Sequence, residues 1–345
     1  MVRNWDFERA QRHKNQRGES VAPKRHKIDS PPMQCHRNAR NKRAKQMPDP
    51  TAPLSYMART RAYYLALGYD NPFQWAHFDD VPFTPLPKPL DQCRVAIVTT
   101  AAPYQPDKGD QGPGAPYNAD AKFYEVYALP ADPPPDLRIS HIAIDRAHTT
   151  AEDSGSYLPL RALASAAQQG RIAEAAPRVF GLPTNRSISA TLRDAGVVLA
   201  LCKADMIDAV ILVPNCPVCH QSVSITSRVL EEQGVPTVIM GCARDIVENV
   251  GVARFMFSDF PLGNSAGRPN DPESQRQTLD LALDLLAGAP APRTTRVSPL
   301  GWSGAADWKR DYSNPDLLSA EELAARRAAF DRGKEAAKRL REAKA

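Results

Sequence analysis

Apolar and polar positions along the chain fall into two recurring patterns. A continuous apolar run of strand length occupies residues 209–213, and residues 94–100, with Val95-Ala-Ile-Val98 at the centre, 236–240 and 254–258 also read as strands. Between and after them lie stretches with helical spacing: residues 158–169, 189–203, the segment after Cys216 that carries Val223, Ile225, Val229 and Leu230, and residues 244–250. A further helix opens at Asp271-Pro272-Glu273, an N-cap, a first-turn proline and an acidic first turn, and runs to Leu286. Unbroken apolar runs suit strands covered on both faces. Their alternation with helices predicts an α/β fold, a Rossmann-like parallel sheet with helices on both faces. Residues 137–144 alternate in polarity and predict another strand, and residues 254–258 read as the last one.

Outside this alternation the pattern predicts extended N- and C-terminal straps. Residues 56–68 form a short helix stopped by Gly68, after which residues 71–90 mix Phe73, Trp75, Phe78 and Phe83 with five prolines. Proline excludes helix and the aromatics seek burial, so this stretch should lie extended on the domain surface. Residues 288–315 repeat the composition around Trp302 and Trp308, and Ser319-Ala-Glu-Glu322 is a capping box opening a charged, Ala-rich helix. Residues 1–52 hold too few apolar groups to offset the entropy of ordering and read as a disordered basic arm. The chain thus divides into the arm (1–52), an α/β domain (53–290), and a Pro-rich strap with a charged C-terminal helix (291–345).

Charge sharpens this picture in one place. The formal net charge is +5, and the first fifty residues carry about +8 by themselves. The basic character is local, no folded nucleic-acid module follows it, and no nucleic-acid partner is expected. Six cysteines in 345 residues make no dense disulfide framework and suit a reducing compartment. With neither an apolar signal core nor a run of about 18 apolar residues, the expectation is a cytoplasmic protein without a membrane partner.

The chemistry concentrates in Asp208-Ala-Val-Ile-Leu-Val-Pro-Asn-Cys216-Pro-Val-Cys219-His220, where a strand feeds a helix. Unpaired N–H groups and the positive dipole end stabilise a thiolate at a helix start, and Pro217 suits the first helical position. Cys216 reads as an exposed nucleophile and Cys219, one turn on, as its resolving thiol. His220 is either a proton carrier or a first-turn surface residue. Three rivals compete: c-type haem attachment, which belongs outside the cytoplasm; zinc, completed by Cys202, Cys242 or His220 although no second Cys-x-x-Cys exists; and two cysteines that only fill space. The redox dithiol is preferred and no metal is expected. Residues 104–118 form a Gly/Pro loop after a strand end without phosphate-loop spacing. His141, Asp145 and His148 form a polar loop able to bind substrate, and Thr184, Asn185 and Arg186 another, in which the guanidinium suits a carboxylate.

This segment resembles the selenoprotein B family, which includes components of glycine, sarcosine and betaine reductases and of D-proline reductase; its members usually carry selenocysteine where Cys216 stands. The resemblance extends, in order, through Pro85-Leu-Pro-Lys-Pro-Leu, residues 94–100, His141-Ile-Ala-Ile-Asp145, Gln169 to Arg178, Gly181-Leu-Pro-Thr-Asn-Arg-Ser187 and Asp259-Phe-Pro-Leu-Gly-Asn264, covering roughly residues 55 to 290. It implies reductive cleavage of a carbon–heteroatom bond, typically carbon–nitrogen, in a small amino-acid-like or betaine-like substrate. It also implies no tightly bound cofactor, an external dithiol or thioredoxin-like reductant, and partner reductase subunits, some bearing a pyruvoyl group. Homo-oligomerisation is left open. A non-enzymatic redox-sensing or scaffold subunit of a reductase complex is the alternative.

Overall fold

The structure is a computed structural model that describes residues 52–70, 73–139, 141, 143–184, 187–302 and 307–342; the basic arm lies outside the described residues, apart from Ala52. In chain order the first elements are α1 (Tyr56–Ala66), β1 (Arg94–Thr99), β2 (Ala102–Pro103), β3 (Tyr127–Pro130), β4 (Leu137–Arg138), α2 (Leu160–Gln168), β5 (Glu174–Ala175), β6 (Arg178–Gly181) and α3 (Ile188–Ala204). There follow β7 (Ala209–Val213), α4 (Pro217–Glu232), β8 (Thr237–Gly241), α5 (Arg244–Val250), β9 (Arg254–Phe257), α6 (Pro272–Gly288), β10 (Thr294–Val297), α7 (Asp307–Asp311) and α8 (Ala320–Glu342).

The main sheet has the order β10-β9-β8-β7-β1-β6-β3, with β5 beside β1. Every pairing in it is parallel except that of β3 with β6. Its strands are apolar on successive residues because both faces are covered. Val95, Ile97, Ile211 and Met240 pack with Leu163 of α2 and Leu279 and Leu283 of α6. Ala96, Val98, Leu212 and Ile239 pack on the other side with Val198 of α3, Val223 and Leu230 of α4 and Val247 of α5. The fold is therefore α/β, a mostly parallel sheet with helices on both faces.

From β1 the chain passes to β6 on one side and then returns to β7 on the other side of β1. Such a reversal opens a crevice at the carboxyl ends of the two central strands, where α/β proteins bind ligands. The residues after β7 are Pro214, Asn215 and Cys216.

Helix α4 is covered all round, which accounts for its polar residues. The extended strap lies across its outer side: Ala76 N–H donates to Gln221 Oε1 (2.7 Å), Arg228 donates to the Asp80 carbonyl (2.6 Å), and Thr84 N–H donates to the Glu231 carboxylate (2.6 Å). Glu231 also accepts from Thr237 N–H (2.6 Å) and from Arg254 (3.0 Å), whose guanidinium sits 4.2 Å from the centre of the Phe83 ring. Both members of that ion pair are buried, at 0 % and 1 % exposure. The strap is thus fastened at the strand-like spacing its prolines dictate.

Two sequence expectations change, and one strand is new. Among the described residues of 137–144 only Leu137–Arg138 is a strand, paired antiparallel with Ala102–Pro103 in a separate two-stranded sheet. The segment that follows is pulled into a turn in which Asp145 N–H donates to the Leu262 carbonyl (3.0 Å) and Thr149 N–H to the Asp145 carbonyl (3.0 Å). The strand at Arg254–Phe257 is not the last, because β10 adds to it in parallel. Finally, Tyr127–Pro130 closes the opposite edge beside β6, four residues too short for alternation to reveal. The helix caps are as read: Asp271 accepts from Ser274 N–H (3.0 Å), and Ser319 and Glu322 cap each other reciprocally.

Candidate active site

Beyond β7 the chain is held to the end of β1 and to the loop after β9. Asn215 N–H donates to Thr100 Oγ1 (3.1 Å), and Ser265 Oγ–H donates to the Pro214 carbonyl (2.6 Å). Cys216 is the N-cap of α4, in extended conformation, and its sulfur accepts from Cys219 N–H (3.2 Å). Cys216 and Cys219 are joined as a disulfide, with Cα atoms 4.9 Å apart. The expected proximity is present, whereas the expected exposure is not: Cys216 is only 2 % exposed and Cys219 is fully buried. The loop at residues 145–149 is tied to the one after β9, since Asp145 N–H donates to the Leu262 carbonyl (3.0 Å) and Thr149 Oγ1 donates to Asn264 Oδ1 (3.3 Å).

His220 is not a surface residue but a buried strut. Its Nδ1–H donates to the Cys216 carbonyl (2.7 Å), and its Nε2 accepts from Cys242 N–H (2.9 Å) and Ala243 N–H (3.1 Å). That set of partners requires the neutral Nδ1–H tautomer. The ring lies so close to β8 that a Cβ on Gly241 would come within 2.7 Å of Nε2. Burial pushes the His220 pKa down to about 4, partly opposed by the hydrogen bond to the Cys216 carbonyl.

This has a consequence for stability. Between pH 6.5 and about 4 the unfolded chain binds a proton at His220 that the native chain does not. Stability should therefore fall as pH drops through that window, by up to about 1.4 kcal/mol per pH unit. His141 acts with the same sign, whereas Asp145 and Glu231, whose acids are raised by burial, act oppositely. The difference between the wild type and His220→Gln isolates the histidine: urea unfolding between about pH 5 and 6.5 should show a shallower pH slope in the variant, and an identical slope would refute the assignment.

The fold brings His141 to the disulfide. One of its ring nitrogens and the two sulfurs all lie within 4.8 Å of one another. His141 is buried, its Nδ1 has no hydrogen-bond partner among the described residues, and burial, with Lys122 and Arg146 nearby, holds its pKa at about 3. Beside it is a small cavity lined by Ala102, Lys122, Phe123, His141 and Thr184, of about 10 Å³, the space of about one water. Asn215, next to Cys216, is fully buried, and neither end of its side-chain amide has a partner among the described residues.

Of the other candidates, Thr184 lines this cavity with His141. Asp145 and His148 instead pair with each other, His148 Nδ1 lying 2.9 Å from Asp145 Oδ1, and His148 Nε2 lies 3.8 Å from Asp311. Asn185 and Arg186 lie outside the described residues. Sequence reasoning passed over Lys122, Phe123 and Asn215. Only Asn215 carried a local signal, its place before Cys216.

The chain is 27 % identical to the D-proline reductase subunit gamma of Acetoanaerobium sticklandii over an alignment of 227 residues that covers 61 % of this chain and 84 % of that protein. No protein-family model and no solved structure matches the chain. Among the described residues, no helix is long and apolar enough to cross a membrane. The Cys-x-x-Cys helix start behind a central strand and the similarity to that subunit agree, and together they support a distant relationship to the D-proline reductase family.

Proposed function

We propose that the protein is a dithiol-dependent reductase that cleaves a carbon–heteroatom bond in a small substrate bearing a carboxylate. The observation that carries this reading is the bonded Cys216–Cys219 pair, placed at a helix N-terminus in the crevice between the two central strands. The Cys216 thiolate attacks the substrate carbon, a C–S bond forms, the C–N bond breaks, and the nitrogen leaves with its electron pair and takes a proton. Cys219 then attacks the Cys216 sulfur; the S–S bond forms, the C–S bond breaks, and the carbon takes the electron pair and a proton. The substrate gains two electrons and two protons, and an external thioredoxin-like dithiol or a partner subunit restores the thiols.

Lys122 and Thr184 face the cavity beside His141 and suit a carboxylate, with Asn185 and Arg186 following Thr184 directly in the chain. His141 lies buried beside the sulfurs with its Nδ1 unpartnered among the described residues, whereas both nitrogens of His220 are held by backbone; His141 is the better placed to carry a proton and His220 to position Cys216. The relative's designation as one subunit of D-proline reductase supports partner subunits, and an amine that needs activation would receive it there, from the pyruvoyl group that the family resemblance implies. The buried disulfide is the oxidised end of the cycle, and substrate entry follows its reduction.

Removing the resolving thiol tests this sequence of steps. Cys219→Ser should accumulate a covalent adduct on Cys216 when the reduced protein is given D-proline or glycine betaine together with its partner subunits, read as a mass increase on that peptide. The burial of Cys216 favours one second reading, a redox-sensing or scaffold subunit. An unmodified peptide together with a thiol titrating near the free-cysteine value, about 8.5, would decide for it.

A further inference from the structure

The Cys216–Cys219 pair and His141 are, among the described residues, the group of potential metal ligands that the fold draws together. We infer that in the reduced protein these three side chains form a binding site for a zinc ion, which oxidation of the pair to the disulfide abolishes. The inference requires only that the disulfide be reducible and is independent of the substrate chemistry.

The donor set is the first argument. Two thiolates and one imidazole match the Cys₂His set of three-ligand zinc sites that keep a fourth position open, and thiolate softness selects zinc over magnesium or calcium. The second argument is the state of His141. A buried imidazole ordinarily spends its polar atoms on hydrogen bonds, yet Nδ1 of His141 has no partner among the described residues. The third is distance. Ligand atoms around zinc, bonded at about 2.0–2.3 Å, stand roughly 3.3–3.8 Å from one another. The three atoms here span at most 4.8 Å, so closure by about 1 Å suffices once the sulfurs part on reduction.

Position also decides against the ligands that sequence spacing suggests. Both nitrogens of His220 are occupied by backbone groups. Cys202 is buried in the core between α3 and the sheet, and Cys242 faces Ser265 at 3.8 Å. Lys122 and Arg146 oppose a cation near His141, and the two thiolate charges must outweigh them. An open fourth position beside Lys122 would accordingly favour an anionic group.

The test is a zinc titration of the full chain, reduced with a phosphine, against a chromophoric chelator. One ion should bind per chain, the disulfide form should bind none, Cys219→Ser should lose the site, and His141→Ala should weaken it by at least tenfold, the scale set even by outer-shell substitutions at metal sites. Cobalt(II) in the wild-type protein should give thiolate-to-metal charge-transfer bands with tetrahedral ligand-field bands, a readout that does not depend on the folding of any variant. No stoichiometric binding by the reduced wild type, or binding unaltered by His141→Ala, would overturn the site. Adduct formation by zinc-free Cys219→Ser is measured separately, so failure of the metal site and failure of the reductase reading remain distinguishable.

Discussion

Replacing Cys216 by serine is expected to abolish thiol-dependent turnover, by a factor on the order of 10⁴ or more, the scale of nucleophile deletions, while leaving the fold in place. The second half of the expectation follows from the geometry. Cys216 caps α4 by accepting the Cys219 N–H at 3.2 Å, and serine is among the best residues for that task. The hydroxyl can keep the bond but cannot act as a thiolate or form the disulfide. Measured under reducing conditions, where neither protein carries the crosslink, the unfolding free energies of the two from urea melts should agree to within about 1 kcal/mol. Activity retained by Cys216→Ser would remove the nucleophile assignment altogether.

The largest effect on stability is expected at Glu231. Its carboxylate accepts from Thr84, Thr237 and Arg254, and both it and Arg254 are shut off from water. Glu231→Ala strands a buried guanidinium and two backbone N–H donors, and breaking a buried pair from one side costs about 3–5 kcal/mol. The strap should loosen with it, since Thr84 would lose its anchor on α4. Urea unfolding reports the loss, and limited proteolysis between Phe73 and Leu90 reports the strap. The double variant Glu231→Leu/Arg254→Met should recover much of the stability, because it buries no unpaired charge. A loss below about 1 kcal/mol in the single variant would mean that the pair is a bystander.

Much of the architecture was legible because it is written in local patterns. The apolar runs at Val95–Val98 and Ala209–Val213 announce strands covered on both faces, and Asp271-Pro272 and Ser319 announce helix starts whose capping bonds are all present. β3 and β10 escaped because four residues contain too little periodicity. Residues 137–144 misled because alternation alone does not supply a partner: the edge beside β6 is already taken by β3, and the segment turns instead toward the loop at Leu262.

The site divides in the same way. Within one turn of helix, Cys216, Pro217 and Cys219 determine their own arrangement, so the dithiol and its capping geometry could be read directly from residue order. Everything that depends on a distant part of the chain could not. That His141 meets the sulfurs while Asp145 and His148 pair with each other, that His220 is clamped by the backbone at Cys242 and Ala243, and that Cys216 is covered are all outcomes of strand order and loop closure. Hydrogen bonds and helix periodicity act over a few residues and leave their mark in the sequence, whereas the crevice between β1 and β7 is made by segments more than a hundred residues apart, whose juxtaposition only the packed sheet decides.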